Sequence, residues 1–397
     1  MGGGLLQLVA YGAQDVYLTG NPQITFWKVS YRRYTNFSME AIAQTFSGSA
    51  KMGNRVTCQI SRNGDLIHKM YLEIISDGTT VDGTDIVNGG AYAIVKEVEV
   101  EIGGQRIDKQ YGDWMYIWNK LSLDAGKFAG LSNLVGYPQA SFTVTGPAKS
   151  TVQLPLEFWF CRNPGLALPL IALQYHEVKV NVLFNTEAKI QAANTATAYE
   201  IGTATLFVDY IFLDTDERRR MAQNPHEYLI DQLQYTGEET LAGTTGTTTQ
   251  TIRLNFNHPV KELVWVGQVA DVNTSVTRFD TYAEIAKAKL QLNGQDRFAE
   301  REATYFSMIQ PLQHHSNIPM DIGFTVQGAD SANINVYSFG LRPEEHQPSG
   351  TCNFSRIDSA NLVLTYNSAN VDRVRVYAVN YNVLRIMSGM GGLAYSN

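Results

Sequence analysis

The sequence is poor in charge. Of its 397 residues only 17% are Asp, Glu, Lys or Arg, against roughly a quarter in an ordinary globular protein. The formal net charge is −7, and no block of five or six basic residues occurs. Direct binding to nucleic acid rests on clustered Lys and Arg that neutralise phosphates, so this composition argues against it. The one basic cluster, Arg218-Arg219-Arg220, follows Asp214, Asp216 and Glu217 and is expected as a solvated or salt-bridged helix end. Cysteine is scarce too. Cys58, Cys161 and Cys352 are odd in number and far apart, with no CxxC pair and no disulfide framework, which fits folding in a reducing compartment. Long apolar runs are missing. The most apolar window, Leu154 to Leu173, is broken by Glu157, Arg162, Asn163 and three prolines, so it does not span a bilayer. Met1-Gly2-Gly3-Gly4 lacks the features of a signal peptide, and Leu6 stands where a myristoylation signal has Ser or Thr. The expectation is a soluble protein made in a cytosol-like space.

The patterns of catalysis are missing as well. The histidines His68, His176, His226, His258, His314, His315 and His346 form no HExxH motif and no Cys-His cluster. The adjacent His314 and His315 are expected in a loop, and His176-Glu177 at the head of a strand. No GxSxG elbow or Walker A loop occurs. Gly389-Met390-Gly391-Gly392 is expected as a flexible carboxy-terminal tail. Glu97, Glu99 and Glu101 share one strand face. A glycosidase needs carboxyls on opposite sides of a scissile bond, so a solvated strand face is expected. No catalytic, metal-binding or cofactor-binding residue is assigned. Asn-x-Ser/Thr occurs at Asn36, Asn273 and Asn353. Asn36 and Asn353 are expected in packed regions, leaving Asn273, in a polar loop, as the glycan candidate.

What the sequence does contain is strand material: 21 Tyr, 17 Phe and 33 Gly, with abundant Thr, Val and Asn, a mix that favours strands and turns. Residues 1–26 are expected as an extended arm, docked through Leu5, Leu6, Leu8 and Val9. An aromatic stretch from Phe26 to Tyr34 follows. Period-two strands then recur: Val56, Cys58 and Ile60; Met70, Leu72 and Ile74; and Glu97 to Ile102. Trp114, Ile117, Trp118 and Leu121 are spaced i, i+3, i+4 and i+7, which predicts a helical insertion over 113–136. Strands resume at Phe158-Trp159-Phe160, at Val178 to Val182 and at Leu206 to Phe212. Asp214 to Asn224 is expected as a helical turn ended by Pro225. The second half repeats this grammar at Ile252, Leu254 and Phe256, at Leu263 to Val266, and at Ala288 to Leu292. Arg301 to Gln310 is the short counterpart of the helical insertion. Strands at Leu362 to Tyr366 and from Val374 onward complete it.

The halves also match in detail. Glu101-Ile102-Gly103-Gly104-Gln105-Arg106-Ile107 is echoed at Gln291-Leu292-Asn293-Gly294-Gln295-Asp296-Arg297-Phe298, with Gly104 and Gly294 190 residues apart. Placing Pro164 on Pro348, 184 residues apart, sets Leu170 on Phe354, Leu173 on Ile357, Val178 on Leu362, Val180 on Leu364 and Val182 on Tyr366. Repetition at half length indicates a duplicated domain, whereas solenoid repeats recur at about 20–50 residues. Each half carries roughly eight short strand candidates, the count of a jelly roll, although the pattern alone reaches only a tandem β-sandwich.

Several stretches resemble the major capsid proteins of nucleocytoplasmic large DNA viruses, with the greatest similarity to those of chlorella-infecting phycodnaviruses. They are Gln7 to Phe26, Tyr31 to Phe37, Ile60 to Leu66, Pro164 to Ile171, Leu254 to Pro259 and Tyr381 to Leu393. The resemblance covers essentially the whole chain. It implies an all-β double jelly roll with short helical insertions, arranged as an arm (1–26), a first jelly roll (27–214), a linker (215–225) and a second jelly roll (226–397). It also implies a homotrimeric, pseudo-hexagonal capsomer in the outer shell of a virion. That capsomer would contact neighbouring capsomers and minor capsid proteins, reach the inner membrane through other viral proteins, and make no direct nucleic-acid contact. Synthesis and assembly would take place in the host cytoplasm. Assembly is expected to use the arm and adjoining segment, through Tyr11, Asp15, Asn21, Phe26, Trp27, Tyr31, Arg32, Arg33 and Tyr34. The loops around Asp271 to Tyr282, His314 to Ala332 and Asn367 to Val371 look shorter than in the chlorovirus protein. That shortening keeps a minor or paralogous capsomer protein as an alternative. A carbohydrate-binding or carbohydrate-active tandem jelly roll is the alternative from another class, and it would need convergent carboxylates or a metal.

Overall fold

The structure is a computed structural model that describes residues 3–27, 31–76, 90–136, 151–186, 200–241, 246–268, 282–319, 333–367 and 371–395. The chain divides into two units, Met1–Phe37 and Ser38–Asn397.

Among the described residues, eight principal strands come from each half. Those of the first half are β1 (Phe37–Thr45), β2 (Arg55–Gln59), β3 (Leu66–Ser76), β4 (Val95–Ile102), β5 (Gln105–Tyr111), β6 (Thr151–Pro155), β7 (Val178–Phe184) and β8 (Ile201–Leu213). Those of the second are β9 (His226–Thr240), β10 (Thr247–Arg253), β11 (Pro259–Gln268), β12 (Lys287–Leu292), β13 (Gln295–Asp296), β14 (Asn335–Ser338), β15 (Ala360–Asn367) and β16 (Arg373–Met387). The first half forms two sheets, β1-β8-β3-β6 and β2-β7-β4-β5. The second forms β9-β16-β11-β14 and β10-β15-β12-β13. Every strand of the second half occupies the place of the strand eight earlier. Each half is a jelly roll, and the chain is a double one.

The duplication extends to small features. The two-residue strand Leu168–Pro169 pairs with Leu66 and Ile67, and Cys352–Asn353 pairs with Pro259 and Val260, at the same offset as the Pro164–Pro348 match. Strands β7 and β15, which carry the matched apolar positions, fill equivalent places. The echoed turns close equivalent hairpins, with Ile102 opposite Gln105 and Leu292 opposite Gln295. Gly103 and Asn293 both have positive φ there, 58° and 51°, the left-handed backbone that Gly and Asn tolerate best.

Short helices interrupt the strands. The insertion at 113–136 is a pair, Gly112–Ser122 and Ala125–Val135, and Trp114, Ile117, Trp118 and Leu121 are buried as their spacing requires. Its counterpart runs from a π-turn at Tyr305–Ile309 into the helix Gln310–His314. Thr215–Gln223 is the helix between the jelly rolls. Asp214 caps it, accepting from Thr215 N at 2.8 Å, and Arg218 is ion-paired at 2.8 Å to the buried Asp65.

Several expectations change. Phe158-Trp159-Phe160 is not a strand: Trp159–Arg162 is one helical turn, and all three aromatics are buried. Three consecutive inward side chains suit a helical turn in a core but not an alternating strand. The acidic face of β4 is not a solvated one. Glu99 is 6% exposed and ion-paired with Arg55, Arg106 and Lys109, and Glu97 pairs with Lys109 at 2.6 Å. The glycine-rich end is not a loose tail, because Met390–Leu393 forms a strand paired with the end of β16. It also lies against the first jelly roll, where Gly391 N donates to His176 Nδ1 at 3.1 Å. His314 ends a helix rather than lying in a loop, and His315, in the bend that follows, has its side chain buried between two carboxylates. Asn36 and Asn353 are exposed, and the Asn353 carboxamide oxygen accepts from Ser355 N at 3.0 Å.

Candidate assembly surface

The arm and its aromatic segment belong to the smaller unit. Where an extended arm was expected, Gly3–Val9 and Val16–Thr19 are short helices. Asp15 shapes the turn between them, its carboxylate accepting from Gly12 N at 2.7 Å. Thr19 Oγ1 donates to the Asp15 carbonyl at 2.7 Å and lies 3.2 Å from the Tyr11 hydroxyl, which can donate to it. Tyr11 and Asp15 are thereby brought together through Thr19. Asn21 takes positive φ, 49°, at the following bend. Phe26 and Trp27 meet edge to face at 6.4 Å, and Tyr34 tilts against Phe37 at 5.6 Å. Tyr31, Arg32 and Arg33 are exposed. None of the expected residues is buried. Phe26 is 98% exposed, and Leu18, Ile24, Trp27, Tyr31 and Tyr34 all exceed 80%. The leucines at positions 5, 6 and 8, expected to be docked, are exposed too. An isolated chain leaves this much apolar surface in water only at a cost of about 25 cal/mol per Å². Asn273 lies outside the described residues.

The junction between the jelly rolls, within the larger unit, was not legible in the sequence. Strand β11 explains how it forms. Leu263 and Trp265 point into the second core, whereas Val264 and Val266 join the first, so the strand is buried on both faces and reads as an unbroken apolar run. Tyr377, opposite Val264 on β16, packs on Trp114 at 5.2 Å and stacks on Tyr235 at 4.8 Å. Tyr111 closes the cluster at 4.9 Å from Tyr235. Arg375 pairs with Asp113 from the first half and Glu238 from the second. At the strand edges, Gln232 Nε2 donates to the Ile107 carbonyl, and Leu233 N donates to Asp108 Oδ1 at 3.1 Å. A cleft of about 570 Å³ opens beside these contacts, lined by Gln105, Lys109, Tyr111, Gln234, Tyr235 and Asn257 among others. Gln234 is engaged within the chain: it both donates to the Asn257 carbonyl and accepts from its N–H.

Two buried titratable sites stand out. Burial raises the Asp108 carboxyl to about 6, against the pull of the Leu233 N–H and Arg162. His315 has both ring nitrogens 2.9 Å from a carboxylate, Nε2 from Glu262 and Nδ1 from Glu344. Burial alone would depress the imidazole, but the two carboxylates outweigh it and hold it up at about 9. The Glu262 contact is close but poorly aligned, so neither Glu262 oxygen has a conventional hydrogen-bond donor and the imidazolium balances its charge. Because the carboxylates sit on opposite edges of the ring, the three groups do not converge on one point. Among the described residues no group of three or more His, Cys, Asp and Glu could hold a metal.

Comparison with known proteins identifies what this architecture is. Residues 25–214 match the family of the major capsid protein N-terminus, and residues 217–392 match the large eukaryotic DNA virus major capsid protein. The chain belongs to the large eukaryotic DNA virus major capsid proteins. It is 54% identical to the major capsid protein of Pyramimonas orientalis virus and 44% identical to that of Paramecium bursaria Chlorella virus 1, with both proteins covered in full in each case. It superposes on a chain of the quasi-atomic PBCV-1 virus capsid with a TM-score of 0.78 at 40% identity, over 94% of this chain and 100% of that one. The Faustovirus major capsid protein shares the fold at 14% identity, with a TM-score of 0.72 over 95% of this chain and 94% of that one. As a member of this family, the chain is a structural component of a virion capsid and not an enzyme.

Proposed function

We propose that three copies of this chain form a pseudo-hexagonal capsomer and that such capsomers tile the outer shell of the virion. The observation that carries this reading is the repeated strand order. Two jelly rolls of the same topology lie within one compact unit, Ser38–Asn397; we bound them at 27–214 and 226–397, with 215–225 as linker. Three such chains present six similar barrels, a near-sixfold block suited to a flat facet, and closed cyclic trimers are an ordinary symmetry outcome. Neighbouring capsomers and minor capsid proteins are the partners. Other viral proteins bridge to the inner membrane, and no direct contact to nucleic acid is made. Synthesis and assembly take place in the host cytoplasm.

The arm stabilises the inner face of the trimer. Its exposed aromatics, Phe26, Trp27, Tyr31 and Tyr34, are the kind of rigid anchors that carry binding energy at interfaces, and Arg32 and Arg33 lie among them. Tyr11, Asp15 and Asn21 shape the arm that presents them. Native mass spectrometry of the purified protein tests the trimer: a three-chain species is expected, and a monomer at micromolar concentration overturns it. Light scattering on a variant lacking residues 1–24 tests the arm. A fully stable trimer without it removes the arm's role.

A further inference from the structure

The contact between the two jelly rolls runs head to tail. The second roll offers the outer face of its β9-β16-β11-β14 sheet, and the first offers the helix Gly112–Ser122 that follows β5. Both surfaces have counterparts in the opposite halves, and there they are uncovered.

The registers make the correspondence specific. Val264 and Tyr377 are opposite each other on β11 and β16, and Tyr71 and Phe207 are opposite each other on β3 and β8. Counting from the Leu66–Pro169 and Pro259–Asn353 pairs, Tyr71 takes the place of Val264 and Phe207 that of Tyr377. Val264 and Tyr377 are 0% and 1% exposed, sealed beneath Trp114 and its helix. Tyr71 and Phe207 stack on each other at 4.9 Å, 8° from parallel, and both remain partly exposed. On the other side, the segment Ala303–His314 follows the two-residue strand Arg301–Glu302, whose Glu302 is opposite Lys287 on β12, as Gly112–Ser122 follows β5, whose Tyr111 is opposite Glu97 on β4. Aligning the two sets Ile309 on Trp118 and Leu312 on Leu121. Trp118 and Leu121 are 4% and 0% exposed, whereas Ile309 and Leu312 are 42% and 67% exposed. Leu341, 72% exposed, lies alongside, its carbonyl 3.0 Å from His314 Nδ1.

We infer that the Ile309–Leu312 helical face of one copy seats on the Tyr71–Phe207 sheet face of the next, repeating between chains the contact each chain makes within itself. The occupant is a second copy of this chain, because the two uncovered surfaces are the two halves of an interface the chain already builds. A head-to-tail contact of this kind generates a ring when its rotation closes, and this inference rests on the three-copy ring proposed above. Tyr71 and Phe207 on one face and Ile309, Leu312 and Leu341 on the other supply apolar and aromatic surface, with the carboxylates of Glu73 and Asp209 beside Tyr71, so association is driven by burial of that apolar surface and aromatic packing.

The test uses the full chain with Tyr71→Cys and Leu312→Cys together and a short bismaleimide crosslinker. A covalent three-chain species is expected, absent from the wild type and from each single variant. In parallel, Ile309→Asp with Leu312→Asp places charge on exposed positions. It is expected to leave the circular dichroism of the monomer unchanged and to weaken trimer association at least 100-fold. A wild-type trimer that yields no covalent trimer and tolerates both aspartates overturns the inference while leaving the capsomer reading in place. A wild-type chain that never trimerises overturns both.

Discussion

Replacing His315 by Gln tests the electrostatics of the second jelly roll. Glutamine keeps an amide donor near one carboxylate but carries no charge, so Glu262, with no exposed side-chain surface, loses the cation that balances it. The imidazole is held up at about 9 in the folded chain against an ordinary value of 6.5. At about 1.4 kcal/mol per pH unit, that difference corresponds to about 3 kcal/mol of stability. Its sign follows from the direction of the shift. Because the folded-state value lies above the unfolded one, the contribution is complete below pH 6.5 and drains away as pH rises through 9. With roughly 2–4 °C per kcal/mol for domains of 150–250 residues, the His315→Gln variant should melt several degrees below wild type at pH 6. By pH 10 the two should melt nearly together. Calorimetry on both proteins at the two pH values measures this, and groups that titrate in both cancel in the difference. A melting difference that stays constant from pH 6 to pH 10 would refute a charged His315.

Asp108→Asn should behave in the opposite sense. Burial raises the carboxyl to about 6, so its charged form is costly at neutral pH. The Asn side chain can still accept from Leu233 N, and the variant should be at least as stable as wild type at pH 7.5 by urea unfolding. Any advantage should shrink as pH falls through 6, and a clear loss at pH 7.5 would show that the charge itself is needed. Gly112→Ala should destabilise strongly, by about 1–3 kcal/mol or more. An added Cβ would sit 2.0 Å from the Tyr92 carbonyl oxygen and 2.3 Å from that of Val95, and backbone gives way poorly. A melting temperature equal to wild type would disprove that close approach. Truncating Trp114 to Ala should cost about 3–5 kcal/mol, since its ring is 1% exposed and packs on Tyr377 across the junction. An unchanged denaturation midpoint would contradict that packing.

The sequence by itself determined the kinds of elements and their duplication. Period-two alternation placed β4, β12 and β15, and the spacing of Trp114, Ile117, Trp118 and Leu121 placed a helix, because which side chains face inward is a local property of the backbone repeat. The echoed turn at Gly104 and Gly294 and the offset at Pro164 and Pro348 marked the copied domain. The exposed arm was legible only as a list of aromatic residues, and what covers them is not a property of one chain. Tertiary structure alone decided which faces are dry. Leu263 to Val266 reads as a featureless apolar run until the first jelly roll is seen to cover the far side of β11. The glutamates of β4 alternate as a solvated face should, yet Arg55, Arg106 and Lys109 close over Glu99. His315 reads as an ordinary polar residue until Glu262 and Glu344, distant in sequence, meet it on both edges of its ring. In each case the deciding partner lies on another element of the fold, beyond the reach of any local window.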